Sequence, residues 1–162
     1  WEKTADPPLD PAGGQQAEAV AERLAGRGRL SVVTSPMRRA RETAAPLASR
    51  WGSDARVTDA VGEIPSPTDD LEARGAWLRV VVTQRWGDVD PSLHDWRDRL
   101  LATLRELPTD TAVFSHYMAI NTAVGAATAS TASNGHRTDS DRDAPDRARA
   151  QTRRPDPARC WW

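Results

Sequence analysis

Two short apolar runs, at residues 30–34 (Leu-Ser-Val-Val-Thr) and 111–115 (Thr-Ala-Val-Phe-Ser), constrain the fold of this 162-residue chain more than any other feature. Each is too short for a helix, carries β-branched residues and is bounded by turn or capping residues, so each reads as a buried strand. Helical periodicity fills the ground between them. Asp10-Pro11 is a cap followed by a first-turn proline, and Ala17, Val20, Ala21, Leu24 and Ala25 then make one apolar stripe that Gly26 and Gly28 close. Ser35-Pro36 predicts a second helix start by the same logic, running through Met37, Ala40, Ala44 and Leu47 to about Arg50. Residues 56–58 suit a short strand. Pro65 and Pro67 make residues 61–68 mostly loop, and residues 69–86 read as a helix despite a β-branched run at 80–83. Asp90-Pro91 opens a further helix with Leu93, Trp96, Leu100, Leu101, Leu104 and Leu107 on one face, and Pro108 ends it. A short helix is expected over 119–126.

Strands alternating with helices predict an α/β domain over residues 1–128: a three-layer sandwich whose mostly parallel sheet is flanked by helices. Residues 129–162 differ in character. From Asn134 to Arg159 there is no Leu, Ile, Val, Phe or Met. A segment with so little apolar surface to bury is expected to be a disordered tail. The formal net charge of -1 argues against a dedicated nucleic-acid binder. No apolar run approaches the ~20 residues that span a bilayer. The opening residues lack the charged-then-apolar pattern of a signal peptide, so none is expected. The lone cysteine, Cys160, cannot form an internal disulfide and fits a reducing, cytoplasmic setting. Three histidines and one cysteine leave little material for a metal cage, so neither a metal nor another cofactor is expected.

Ligands of parallel sheets sit beyond the carboxyl ends of the strands. That rule selects residues 35–39 and 115–117. The first stretch joins a helix N-terminus, a natural anion site, to Arg38, Arg39 and Arg41. The same arginines also suit a solvated helix face. In the second, His116 follows a strand directly and is placed to act as acid, base, nucleophile or oxyanion donor, or simply to brace a turn. Glu63, in a loop flanked by Gly62 and Pro65, matters only if that loop folds over the strand ends. Ser115 and Asn121 could support those groups, but a cap or a core contact suits each of them better. His94 reads as a surface residue, and the tryptophans at 77, 86 and 96 as packing groups.

Ser-Pro-Met-Arg-Arg-Ala-Arg-Glu-Thr-Ala at 35–44 resembles the second motif of the histidine phosphatase superfamily, the phosphoglycerate mutase-like proteins. Pro8-Leu9, Gly13 and Gln16-Ala17 match its Leu-x-x-x-Gly-x-x-Gln-Ala segment. Glu63 falls where the family has an acidic residue. Val113-Phe114-Ser115-His116 looks like its late Val-x-Ser-His motif, with Tyr117 where glycine is commonest. Met37 and Glu42 are mild departures. The resemblance implies phosphomonoester hydrolysis through a phosphohistidine, or phosphomutase transfer, on a phosphorylated small molecule or inorganic phosphate. Arg39 would clamp phosphate oxygens and His116 would donate to the transferring group. Glu63 would protonate the leaving oxygen, with Ser35 at the same strand end as a substrate contact. The family's nucleophile comes from an Arg-His-Gly motif on its first strand, and residues 1–162 hold no such motif. The resemblance therefore implies a fragment truncated at the first strand and inactive as written. The alternative expectation is a noncatalytic phosphate-binding or interaction module.

Overall fold

The computed structural model describes residues 6–108 and 110–128; the expected tail lies outside the described residues. The element order is α1 (Pro11–Ala25), β1 (Ser31–Thr34), α2 (Arg38–Trp51), β2 (Arg56–Val57), a 3-10 turn at Asp59–Val61, α3 (Leu71–Val81), α4 (Ser92–Glu106), β3 (Thr111–Phe114) and α5 (Tyr117–Thr128). The strands form one parallel sheet in the order β2-β1-β3, an α/β fold as the alternation predicts. The chain divides into two compact units. One holds residues up to Glu63 together with Thr103–His116; the other holds Ile64–Ala102 and the residues from Tyr117 onward.

The sheet belongs to the first unit. β1 is its middle strand, with Val32, Val33 and Thr34 buried, as a central parallel strand requires. Ser31 pairs with Thr111 and Thr34 with Phe114, so β1 and β3 end level. The Ser35 N–H donates to the Phe114 carbonyl at 3.0 Å and extends the pairing by one residue. On the other side, the Thr58 N–H donates to the Thr34 carbonyl at 3.0 Å.

The core joins α1, β1 and α2. Ala21, Val32, Ala44, Leu47, Ala48 and Trp51 are buried together, with Leu24, Ala112 and Phe114 against them. Asp10 caps α1 by accepting the Gly13 N–H at 2.6 Å, with Pro11 as its first residue. Small residues at 17, 21, 44 and 48 let the two helices approach closely. The Trp51 indole N–H donates to the Ala25 carbonyl at 3.3 Å and joins the two helix ends. Gly52 ends α2 in the left-handed region (φ 57°), where a residue without Cβ is at least cost. Pro46 sits inside α2 and cannot donate to the carbonyl one turn back. Burial of Ala44, Leu47, Ala48 and Trp51 around it holds the helix through that gap.

α5 runs two residues beyond each end of the expected 119–126, and two other helix boundaries differ for reasons the structure supplies. α2 starts at Arg38 rather than beside Ser35, and Met37 is its N-cap residue without a side-chain bond. Ser35 does not cap the helix because its hydroxyl serves a partner from β3's end, described below. In the second unit α3 stops at Val81, not near Trp86. The β-branched run resists helix there, and the chain turns so that Trp86 is buried against Trp96, ring centres 6.3 Å apart. Arg97 stacks over the Trp86 ring at 5.1 Å, a cation–π contact.

Residues 6–9 are tied to α2 by two carboxylates. Asp6 accepts the Arg38 N–H with both oxygens at 2.8 Å. Glu42 accepts the Leu9 N–H at 2.7 Å and the Arg38 guanidinium at 2.6 Å. Those two bonds, the Leu9 one first, hold the Glu42 carboxyl below the ordinary value of 4.5. A depressed carboxylate stabilises the fold above its unfolded-state pKa, and that contribution fades as pH falls through the folded one. Glu42→Gln should therefore cost stability near neutrality, with the difference from the parent shrinking in acid. Urea titrations of both proteins at neutral and acid pH measure this, and a difference independent of pH would refute it.

Candidate active site

The level ends of β1 and β3 bring two distant sequence segments together. Ser35 follows β1 and His116 follows Ser115 at the end of β3. The His116 Nε2 lies 2.7 Å from the Ser35 Oγ. On the other side of the ring, the Arg39 Nη2 lies 3.2 Å from His116 Nδ1. Ser35 is fully buried and His116 is 6% exposed. The Ser35 Oγ also accepts the Met37 N–H at 3.3 Å, which shapes the turn into α2.

The structure separates the three arginines that the sequence left together. Arg39 alone turns to the histidine. Arg38 is exposed and paired with Glu42, and Arg41 is exposed. Arg39 also lies 3.8 Å from Asp6, a half-exposed pair that solvent screens. The first helical amides are less open to an anion than the sequence suggested, because Asp6 already takes the Arg38 N–H. Sequence reasoning passed over Asp6. Its one signal is its place just before Pro7-Pro8, which holds the chain extended and lets an acidic side chain reach a neighbouring helix end.

Glu63 is half-buried, just beyond the 3-10 turn at Asp59–Val61. That turn is anchored to the strand ends: the Ser115 hydroxyl donates to the Val61 carbonyl at 2.6 Å. Ser115 thus ties the Glu63 loop to the residue beside His116. Gly62 is required in the same loop, since a Cβ there would lie 2.9 Å from the Asp59 carbonyl oxygen. Ser35, Arg39, Glu63 and His116 all belong to the first unit. The neighbour the structure gives the Ser35 hydroxyl is the His116 imidazole.

His94 belongs to the second unit, where its Nε2 lies 2.8 Å from the Trp86 carbonyl and braces that turn. His136 lies outside the described residues. Among the described residues there is no group of three or more histidines, cysteines or carboxylates that could hold a metal ion. None of their helices is long and apolar enough to cross a membrane. A cleft of about 810 Å³ runs beside α2, lined by Asp6, Thr34, Arg38, Glu42 and Val57 among others. Neither Arg39 nor His116 lines it.

The arrangement is suited to a tetrahedral oxyanion. A guanidinium fork grips two oxygens, and an imidazole beside it supplies a third donor when its facing nitrogen is protonated. Phosphoryl transfer depends mainly on such positioned charge.

Known proteins share this fold. Solved structures of a mycobacterial glucosyl-3-phosphoglycerate phosphatase superpose on this chain. The complex with VO3 does so with a TM-score of 0.62 and 26% identity, over 80% of this chain and 72% of that one. Its complex with inorganic phosphate gives a TM-score of 0.58 at 25% identity, over 80% and 73% of the respective chains. A Mycobacterium tuberculosis protein, Rv0525, is 52% identical over 42 residues, which is 26% of this chain and 21% of that protein. The chain thus spans about a fifth of the length of that curated relative. Residues 1–144 match the histidine phosphatase superfamily, branch 1. With the match covering most of its length and phosphatases among its structural neighbours, the chain belongs to the histidine phosphatase superfamily, a family of phosphoryl-transfer hydrolases.

Proposed function

We propose that this chain carries the phosphate-recognition part of a phosphomonoester hydrolase site. The observation that supports it most is the Arg39–His116 contact at 3.2 Å, at the carboxyl ends of two adjacent parallel strands. Arg39 clamps two phosphoryl oxygens and His116 donates to a third. Glu63 protonates the leaving oxygen and then assists water. The substrate is a phosphorylated small molecule, in keeping with the phosphate and VO3 complexes of the mycobacterial phosphatase. The lone Cys160 supports a cytoplasmic setting.

The family's covalent chemistry uses the histidine of an Arg-His-Gly motif, and residues 1–162 contain none. This polypeptide by itself therefore binds phosphate and turns over phosphomonoesters very slowly. Losing a covalent nucleophile leaves only what binding and charge stabilisation contribute. The test compares p-nitrophenyl phosphate hydrolysis by residues 1–162 with that of the same chain preceded by a strand ending in Arg-His-Gly. The expected kcat of residues 1–162 is lower by roughly a hundredfold or more. A kcat within about tenfold would overturn the reading. Tight phosphate binding with no gain from the added strand would favour the noncatalytic binding module instead.

A further inference from the structure

Both ring nitrogens of His116 have partners, and the two partners differ in kind. A guanidinium has five N–H donors and no acceptor. The Arg39 Nη2 at 3.2 Å therefore needs a lone pair on Nδ1. A neutral imidazole then carries its proton on Nε2, which donates to the Ser35 Oγ at 2.7 Å. The hydroxyl accepts a second bond, from the Met37 N–H at 3.3 Å. Those two bonds use both of its lone pairs and fix its direction. Ser35 is fully buried, so bulk water cannot take its place against the ring.

We propose that Ser35 is a positioning residue that holds the His116 ring by Nε2, keeping Nδ1 as the nitrogen beside Arg39. Its backbone N–H is bonded to the Phe114 carbonyl, so the hydroxyl starts from a rigid strand end. A side chain set this way orients a catalytic imidazole as a second partner does in other histidine sites. The consequence concerns the anion. A phosphate or sulfate oxygen only accepts, so in the complex Nδ1 must carry a proton while Nε2 stays on Ser35. A hydroxyl suits both conditions, because it accepts from Nε2–H and also donates to a bare Nε2.

Nitrogen-15 NMR of the two ring nitrogens of His116 tests this, with His116→Asn used for assignment. The spectrum is taken at a pH of about 8.5, where an ordinary imidazole is neutral. In the parent chain Nε2 should be protonated and Nδ1 bare, and saturating sulfate should move Nδ1 to the protonated position. Ser35→Ala should give a mixture of the two tautomers and weaken sulfate binding roughly tenfold. Ser35→Thr, which keeps the hydroxyl, should retain the parent pattern. A resting Nδ1–H tautomer in the parent chain would overturn the proposal even if Ser35→Ala does not fold. So would an unchanged ring pattern in a folded Ser35→Ala.

Only the sulfate arm rests on the phosphate-site reading. Should sulfate fail to bind the parent chain, that reading falls, and the resting spectrum still decides the role of Ser35.

Discussion

Arg39→Ala should abolish the thermal stabilisation that phosphate gives the chain. A ligand held at a hundred times its Kd adds about 2.7 kcal/mol, or roughly 5–10 °C of melting temperature for a domain of this size. Arg39 is the arginine of its helix that meets His116, and its fork is the part of the proposed site suited to two oxygens at once. Arg38 cannot substitute, since Glu42 holds it at 2.6 Å on the exposed side of α2. Arg39→Lys keeps the charge without the fork and should retain a fraction of the shift. Thermal melts of parent, Arg39→Ala and Arg39→Lys across a phosphate series measure all three. Equal stabilisation of parent and alanine variant would remove Arg39 from the site.

Leu47→Ala should have the largest effect on stability. The side chain is fully buried among Ala21, Val32, Ala44, Ala48 and Trp51. Removing it loses its transfer free energy and leaves a cavity, together about 2–5 kcal/mol. Ala21, Ala44 and Ala48 in that cluster have no rotamers with which to refill the space. The cost should therefore fall in the upper half of that range, a large part of the roughly 5–15 kcal/mol that holds a typical domain. Leu47→Met, which nearly conserves volume, should cost less than about 1.5 kcal/mol. Urea denaturation measures both, and a loss under about 1 kcal/mol for the alanine variant would contradict the packing described for the first unit.

Most elements were legible because their signals are local. Asp10-Pro11 announced α1, and the apolar runs at 30–34 and 111–115 announced β1 and β3 within a residue or two. The start of α2 was misread for a reason that is not local. Ser35-Pro36 has a good helix-start pattern, yet the Ser35 hydroxyl bonds a histidine 81 residues away, and the helix begins at Arg38. The end of α3 was misread because burial of Trp86 against Trp96 outweighed a weak helical preference at 80–83. Asp6 was missed because its partner, the Arg38 N–H, is a backbone group that no side-chain pattern reveals.

The amino-acid sequence by itself determined the α/β class, the strand segments and the short set of candidate site residues. Apolar periodicity, proline and glycine act within a few residues, and the chemistry of arginine, histidine and glutamate travels with the side chain. Tertiary structure decided which of the three arginines meets His116, that the Ser35 hydroxyl meets the other side of the imidazole, and that Ser115 anchors the Glu63 loop through the Val61 carbonyl. Those outcomes depend on the register that ends β1 and β3 level, with Thr34 beside Phe114. A shift of register would carry His116 away from both Ser35 and Arg39, and register is a relation between strands that neither strand specifies alone.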